Sequence, residues 1–182
     1  MKPFAGDRFV LAEVAKLCAL HKVESIIETG TQTGATTRVL SLLAERVYTV
    51  DIMDCGPGEL PLNVEEYIGD SVALLPRFLQ QAKGIVLLFL DAHEYGVQTT
   101  IRGELEAIAA SQRWDSIIVI HDFVVPTPNS NLGFDTYPDG PLDLKYISVQ
   151  LEPFLKRGYR FYFNHQAEGD RRGVLYLTPE PK

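Results

Sequence analysis

The sequence predicts an α/β protein: a mostly parallel sheet with helices on both faces. Three observations carry that prediction. Five apolar runs of strand length close on an acidic residue, at Glu28, Asp51, Asp70, Asp91 and Asp122. Segments of helical periodicity stand between them, the alternation that parallel strands need for their crossovers. The first run, Ile26 to Gly34, reads IIETGTQTG and leaves an apolar strand through two glycines into a helix-like segment.

Taken in order, a helix is expected from about Arg8 to Leu20, where Asp7, Arg8, Glu13 and Lys16 interrupt the apolar residues at helical spacing. Those charges deny the N-terminus a continuous apolar region, so it reads as neither signal peptide nor membrane span. Ser25 to Ile27 is β-prone. Gly30 lets the backbone turn sharply and approach a ligand, and Ala35 to Arg46 follows as a helix with Val39, Leu42 and Leu43 as its buried stripe. The free amides at the start of that helix face the turn.

Val47 to Val50 is the second strand, ending at Asp51. Tyr67 to Ser71, YIGDS, is a short strand entering a helix that Ser71 caps and that runs to about Ala82. Ile85 to Leu90, IVLLFL, ends in Asp91; a helix from Thr99 to Ala110 follows, and Ile117 to Ile120 ends in His121 and Asp122. Val124 to Leu142 is a long loop rich in proline and glycine, of the kind that serves as a lid or binding loop. Asp143 to Lys156 is the last helix, kinked or ended by Pro153. Tyr159 to Asn164 and Val174 to Thr178 form an antiparallel edge hairpin joined by AEGDRRG, which places Arg171 and Arg172 in a solvated turn.

The 182 residues suit one domain, 1–182, with 46% hydrophobic and 23% charged residues. A net charge of −7, with only short basic pairs, argues against a nucleic-acid partner. Cys18 and Cys55 make neither a disulfide framework nor a zinc site and read as one core and one loop thiol. A cytoplasmic location is expected, no membrane partner, and self-association into a homo-oligomer stays open.

Only part of a dinucleotide fingerprint is present, because Gln32 stands where GxGxxG requires glycine; a ligand without a pyrophosphate fits better. The segment resembles motif I of class I S-adenosylmethionine (SAM) methyltransferases, in the E-x-G-x-x-x-G form of small-molecule O-methyltransferases such as the catechol type. Asp51 matches their motif II, whose acid accepts the ribose hydroxyl protons, and YIGDS resembles the motif that places Asp70 by the adenine amino group. HDFVVP and GFDTYPDGPL are similar to bacterial SAM-dependent methyltransferases of unassigned substrate. The resemblance implies a Rossmann-like, seven-stranded sheet ordered 3-2-1-4-5-7-6 with strand 7 antiparallel. It also implies SAM as cofactor, bound by Glu28, Gly30, Thr31, Gly34, Asp51, Asp70, Ser71 and Asp91.

The reaction centre is expected at the carboxyl ends of the fourth and fifth strands, beside the switch point. There stand Asp91-Ala92-His93-Glu94-Tyr95 and His121-Asp122-Phe123. In metal-dependent O-methyltransferases the matching acids hold a magnesium ion that orients the acceptor hydroxyl and lowers its pKa. The resemblance thus implies Asp91 and Asp122 as ligands of a divalent metal, magnesium or manganese, with His121 beside them as a third candidate ligand; two carboxylates and a histidine suit manganese, iron or zinc equally well. The pattern departs from the family at two points: Phe123 replaces the amide ligand of the catechol type, and His121 the acid of the macrocin and cephalosporin-hydroxylase types. The alternative is direct acid–base chemistry by Asp91, His93 and Asp122, with His93 as base and Asp122 as its catalytic partner. Tyr95, Phe134 and Tyr137 offer faces to a ring, and Asp135 and Asp139 accept hydroxyl protons. The resulting expectation is methyl transfer to a hydroxyl of a small polar acceptor, a sugar or secondary metabolite. The rivals are an NAD-dependent oxidoreductase, disfavoured by Gln32, and a non-catalytic SAM-binding protein, disfavoured by the polar cluster.

Overall fold

A computed structural model describes residues 2–54, 56–92, 100–127 and 131–180. A turn at Pro3–Gly6 leads to helix α1 (Arg8–His21), which starts where the Asp7 carboxylate accepts the backbone N–H groups of Phe9 and Val10 at 2.8 and 3.3 Å. Then come β1 (Val23–Thr29), α2 (Ala35–Leu40), β2 (Arg46–Asp51), β3 (Val64–Ile68), α3 (Ser71–Gln81), β4 (Ile85–Leu90), α4 (Thr100–Ala110) and β5 (Ile117–His121). A small hairpin, β6 (Thr136–Tyr137) and β7 (Gly140–Pro141), precedes α5 (Ser148–Lys156), β8 (Tyr159–Phe163) and β9 (Val174–Pro179).

The main sheet has seven strands in the order β3-β2-β1-β4-β5-β9-β8. Its pairings are parallel as far as β5, while β9 runs antiparallel to both β5 and β8. This is the expected order with the last strand reversed. Both faces are covered, which explains why β4 is apolar at every position. Leu87 and Phe89 join α1 residues Val10 and Val14 in one core, and Leu88 and Leu90 join Leu75, Phe78, Leu105 and Leu151 in the other. Among the described residues no helix is long and apolar enough to cross a membrane.

Three local expectations are corrected. Helix α2 ends at Leu40 instead of Arg46, with Thr37 and Leu40 as its buried positions and Leu42 82% exposed. The threonine pair is a poor helix former, and the Glu45 N–H donates to the Glu24 carbonyl at 3.1 Å, which brings the chain back to the sheet early. Asp70, not Ser71, caps α3, accepting from the Val72 N–H at 2.9 Å; the Ser71 hydroxyl donates instead to Glu104 on α4 at 2.6 Å. Helix α5 begins at Ser148 because the Asp143 carboxylate closes a turn on the Tyr146 N–H at 2.7 Å, and Pro153 lies inside the helix. The described part of 124–142 is anchored: it buries Val125, Asp135, Tyr137 and Leu142, and the Val124 N–H donates to the Leu142 carbonyl at 2.8 Å. Cys18 is a buried thiol as expected, while Cys55 lies outside the described residues.

Candidate active site

The turn after β1 is shaped by one close approach. Gly30 has φ +92°, its N–H donates to the Val50 carbonyl at 2.8 Å, and an added Cβ would lie 2.6 Å from the Asp91 carbonyl oxygen. No side chain is compatible with both conditions. Behind the turn Glu28 is 1% exposed and accepts the hydroxyls of Thr37 (2.5 Å) and Thr49 (2.7 Å), while Thr31 pairs with Thr49 at 2.7 Å. Burial pushes the Glu28 carboxyl up to about 8, the threonine bonds offsetting only part of the rise. Asp51, at the end of β2, accepts the Gln32 N–H at 2.9 Å and the Met53 N–H at 3.2 Å, so it is fixed against the glycine turn. Gly34 is the left-handed residue that opens α2. Arg38 holds it there, donating to the carbonyls of Thr33 (3.0 Å), Gly34 (2.8 Å), Pro57 and Glu59 (3.2 Å).

At the ends of β4 and β5 the acids converge as expected. His121 Nδ1 lies 3.1 Å from Asp91 Oδ1 and 3.2 Å from Asp122 Oδ1. Burial alone would lower the imidazole, but Asp91 and Asp122 together raise it to about 10. Asp122 is held well below the usual carboxylate range: burial works against this, and His121 and then Arg172 outweigh it. Asp122 has φ +60°, an uncommon conformation for a residue other than glycine, which turns the chain sharply at the strand end.

Arg172 corrects the expectation of a solvated turn. Its guanidinium forks onto Asp122 through Nε and onto Asp135 through Nη2, while Arg171 bonds Asn131 at 2.7 Å. A signal for it existed in the strand pairing. Val174 on β9 stands opposite His121, so the residues just before Val174 must lie beside those just after His121. That pairing is long-range and is not visible in local sequence.

A cavity of about 410 Å³ unites these groups, lined by the turn residues Gly30, Thr31 and Gln32, by Asp91, His121, Asp122, Asp135 and Arg172, and by Lys2, Ala5 and Asp170. Lys2, Asp170 and Arg172 are additions to the expected set. Asp51 and Asp70 stand on the other side of β1, at the ends of β2 and β3. Three expectations about contacts change. Ser71 faces Glu104 between α3 and α4, Tyr137 is buried and stacked on Tyr146 with ring centroids 5.5 Å apart, and Asp139 pairs with Arg102 and Tyr146. Phe134 is 43% exposed. His93 and Tyr95 lie outside the described residues.

Asp91, His121 and Asp122 offer ligand atoms within 4.8 Å of one another, a spacing that an ion could bridge. The charge pattern does not fit a divalent metal. The Asp122 carboxylate already receives Arg172 and faces His121, so ion and guanidinium would share one carboxylate as like charges.

No family model and no curated protein matches the sequence. Solved structures do match the fold. An O-methyltransferase from Bacillus cereus in complex with SAH is 14% identical over 95% of this chain and 81% of its own, with a TM-score of 0.58. MycE methyltransferase from the mycinamycin biosynthetic pathway, in complex with Mg and SAH, is 15% identical over 92% of this chain, with a TM-score of 0.59. Spermidine synthase from Thermotoga maritima is 10% identical over 96% of this chain, with a TM-score of 0.60. The chain spans 48% of the length of MycE and 61% of that of the synthase. At such identities the likeness concerns architecture, and that architecture is the Rossmann-like class I SAM-dependent methyltransferase fold.

Proposed function

We propose that this chain transfers a methyl group from SAM to a hydroxyl of a small polar acceptor, a sugar or secondary metabolite. One observation carries the reading: the glycine turn after β1 and the Asp91–His121–Asp122 cluster open onto the same cavity. A cofactor seated on that turn would present its methyl group to the cluster, and an acceptor hydroxyl would meet it there. Gly30, Thr31 and Gly34 form the turn, and the ribose hydroxyls are assigned to Asp51 and the adenine to Asp70. Glu28 supports the turn from behind. SAM supplies an electrophilic methyl on a sulfonium; the chain's part is to orient the hydroxyl. Asp122 is assigned that role, with Asp91 beside it and Asp135 at the cavity wall. His93 remains the proposed base. The SAH-bound structures of the Bacillus cereus enzyme and MycE support the cofactor, while a spermidine synthase shares the same fold.

Calorimetry with SAM, SAH and NAD tests the cofactor. SAM and SAH should bind, and Asp51→Ala should weaken SAM by about 1.5 to 3 kcal/mol, the range for hydrogen bonds to a charged group. Binding of NAD alone would turn the reading to an oxidoreductase. Product formation against hydroxylated compounds tests the reaction. Asp122→Asn should abolish turnover while leaving SAM affinity intact, and His93→Ala should be equally silent if His93 is the base. Full activity in Asp122→Asn would move the chemistry elsewhere in the cleft. SAM binding with no product from any acceptor class would leave a binding protein.

A further inference from the structure

We propose that Arg172 occupies the cation position of this site: its guanidinium, in place of a divalent ion, binds Asp122 and Asp135 and sets the geometry of the acid cluster. The assignment rests on the proposed methyl-transfer reading only for its catalytic meaning.

Three observations converge on it. The first is the fork. Arg172 reaches Asp122 and Asp135 with different nitrogens, and the three side chains are 23%, 15% and 9% exposed, so both pairs are largely withdrawn from water. A planar guanidinium can span two carboxylates in fixed geometry, which the point charge of lysine cannot.

The second is that the backbone is built around the fork. The Gly173 N–H donates to the Gly133 carbonyl at 2.8 Å and the Gly133 N–H to the Arg171 carbonyl at 2.8 Å. The Phe123 N–H donates to the Gly173 carbonyl at 2.9 Å, and the Asp135 N–H to the Asp122 carbonyl at 2.9 Å. The arginine and its two partners thus hang on one hydrogen-bonded ladder. Two glycines clear its path: a Cβ on Gly133 would lie 3.0 Å from Arg172 Nη1, and one on Gly173 would collide with the Phe123 carbonyl.

The third is the chemistry of the neighbours. Phe123, fully buried, offers no oxygen ligand, and His121 lies within ion-pair distance of both Asp91 and Asp122. A divalent ion between Asp91, His121 and Asp122 would share the Asp122 carboxylate with the Arg172 guanidinium and crowd a second positive charge against it in a site largely withdrawn from water. Arg172 is therefore a positioning residue that acts through Asp122.

Titration of the full chain with manganese, followed by the electron paramagnetic resonance of the free ion, tests this without a methyl-transfer assay. The wild type should leave the free-ion signal unchanged. Arg172→Ala should bind one ion per chain about tenfold or more tighter than the wild type, and adding Asp91→Asn should remove that gain. If Arg172→Ala does not fold, Arg172→Met keeps the volume without the charge. Stoichiometric manganese binding by the wild type, lost in Asp91→Asn, would overturn the proposal. An Arg172 variant that folds and still takes up no manganese would overturn it too. These outcomes stand even if the chain methylates nothing. Where turnover is seen, chelator should not change it, and chelator-sensitive turnover would equally overturn the proposal.

Discussion

Glu28 closes the motif that first marks the cofactor turn, yet it is enclosed behind that turn, its carboxyl pushed up to about 8 by burial. An unfolded chain loses this proton near the ordinary glutamate value, whereas the folded chain keeps it to about pH 8. The folded state is therefore favoured at low pH, and the contribution is lost as pH rises between the two values, by about 1.4 kcal/mol per unit at most, and is constant beyond. Glu28→Gln retains the shape and hydrogen-bonding capacity of the protonated acid without its titration. Urea unfolding at pH 5, 7 and 9 should show a steeper fall in the wild type than in the variant, most clearly between pH 5 and 7, because His121, raised to about 10, lowers the stability of both proteins above about pH 6.5. Parallel profiles for the two proteins would mean that Glu28 is ionised in the fold. A glutamate in the sequence reads as a ligand contact, and nothing in IIETGTQTG reveals that Thr37 and Thr49 enclose it.

At the scale of elements, what the sequence showed depended on how local the cause was. The central strands were legible because two covered faces demand unbroken apolar runs, and IVLLFL admits few other readings. Helix α2 was read six residues too long because its end is set by the return to β2 and not by its own composition. The cluster of Asp91, His121 and Asp122 was foreseen through strand ends, whereas Arg172 was missed because it reaches the site through the pairing of β9 with β5. The N-terminal turn belongs to the same category. Phe4 is 2% exposed and meets Phe89 edge-on at 5.3 Å, its N–H donates to the Thr36 hydroxyl at 3.0 Å, and the Ala5 carbonyl accepts the Asp170 N–H at 3.1 Å. The turn thus clamps the start of α2 to the hairpin that carries Arg172. Phe4→Ala should cost about 3 to 5 kcal/mol, and hydrogen exchange at the Asp170 amide should accelerate more than at the Leu88 amide of the central sheet. Equal acceleration at both would show that the turn contributes only to global stability.

For the whole molecule, strand order was accessible through family resemblance alone, since local pattern marks strands but not their neighbours. The sheet that this order produces separates two cores which share its central strands. Leu87 and Leu88 are adjacent in sequence and buried in opposite layers, so neither layer can be lost while the other keeps its floor. A chain built this way should unfold as one unit. Trp114 packs against the core that holds α3, α4 and α5, so its fluorescence reports that side, while far-ultraviolet circular dichroism reports all the helices and strands. The two midpoints in urea should coincide. Saturating SAM at about one hundred times its Kd should raise the unfolding free energy by about 2.7 kcal/mol and move both probes together. The glycine turn belongs to β1, a central strand that both cores share, so the cofactor's binding energy reaches both layers at once. A dichroism midpoint that shifts with SAM while the Trp114 midpoint stays fixed would show that the two layers unfold separately and that the cofactor stabilises only one of them.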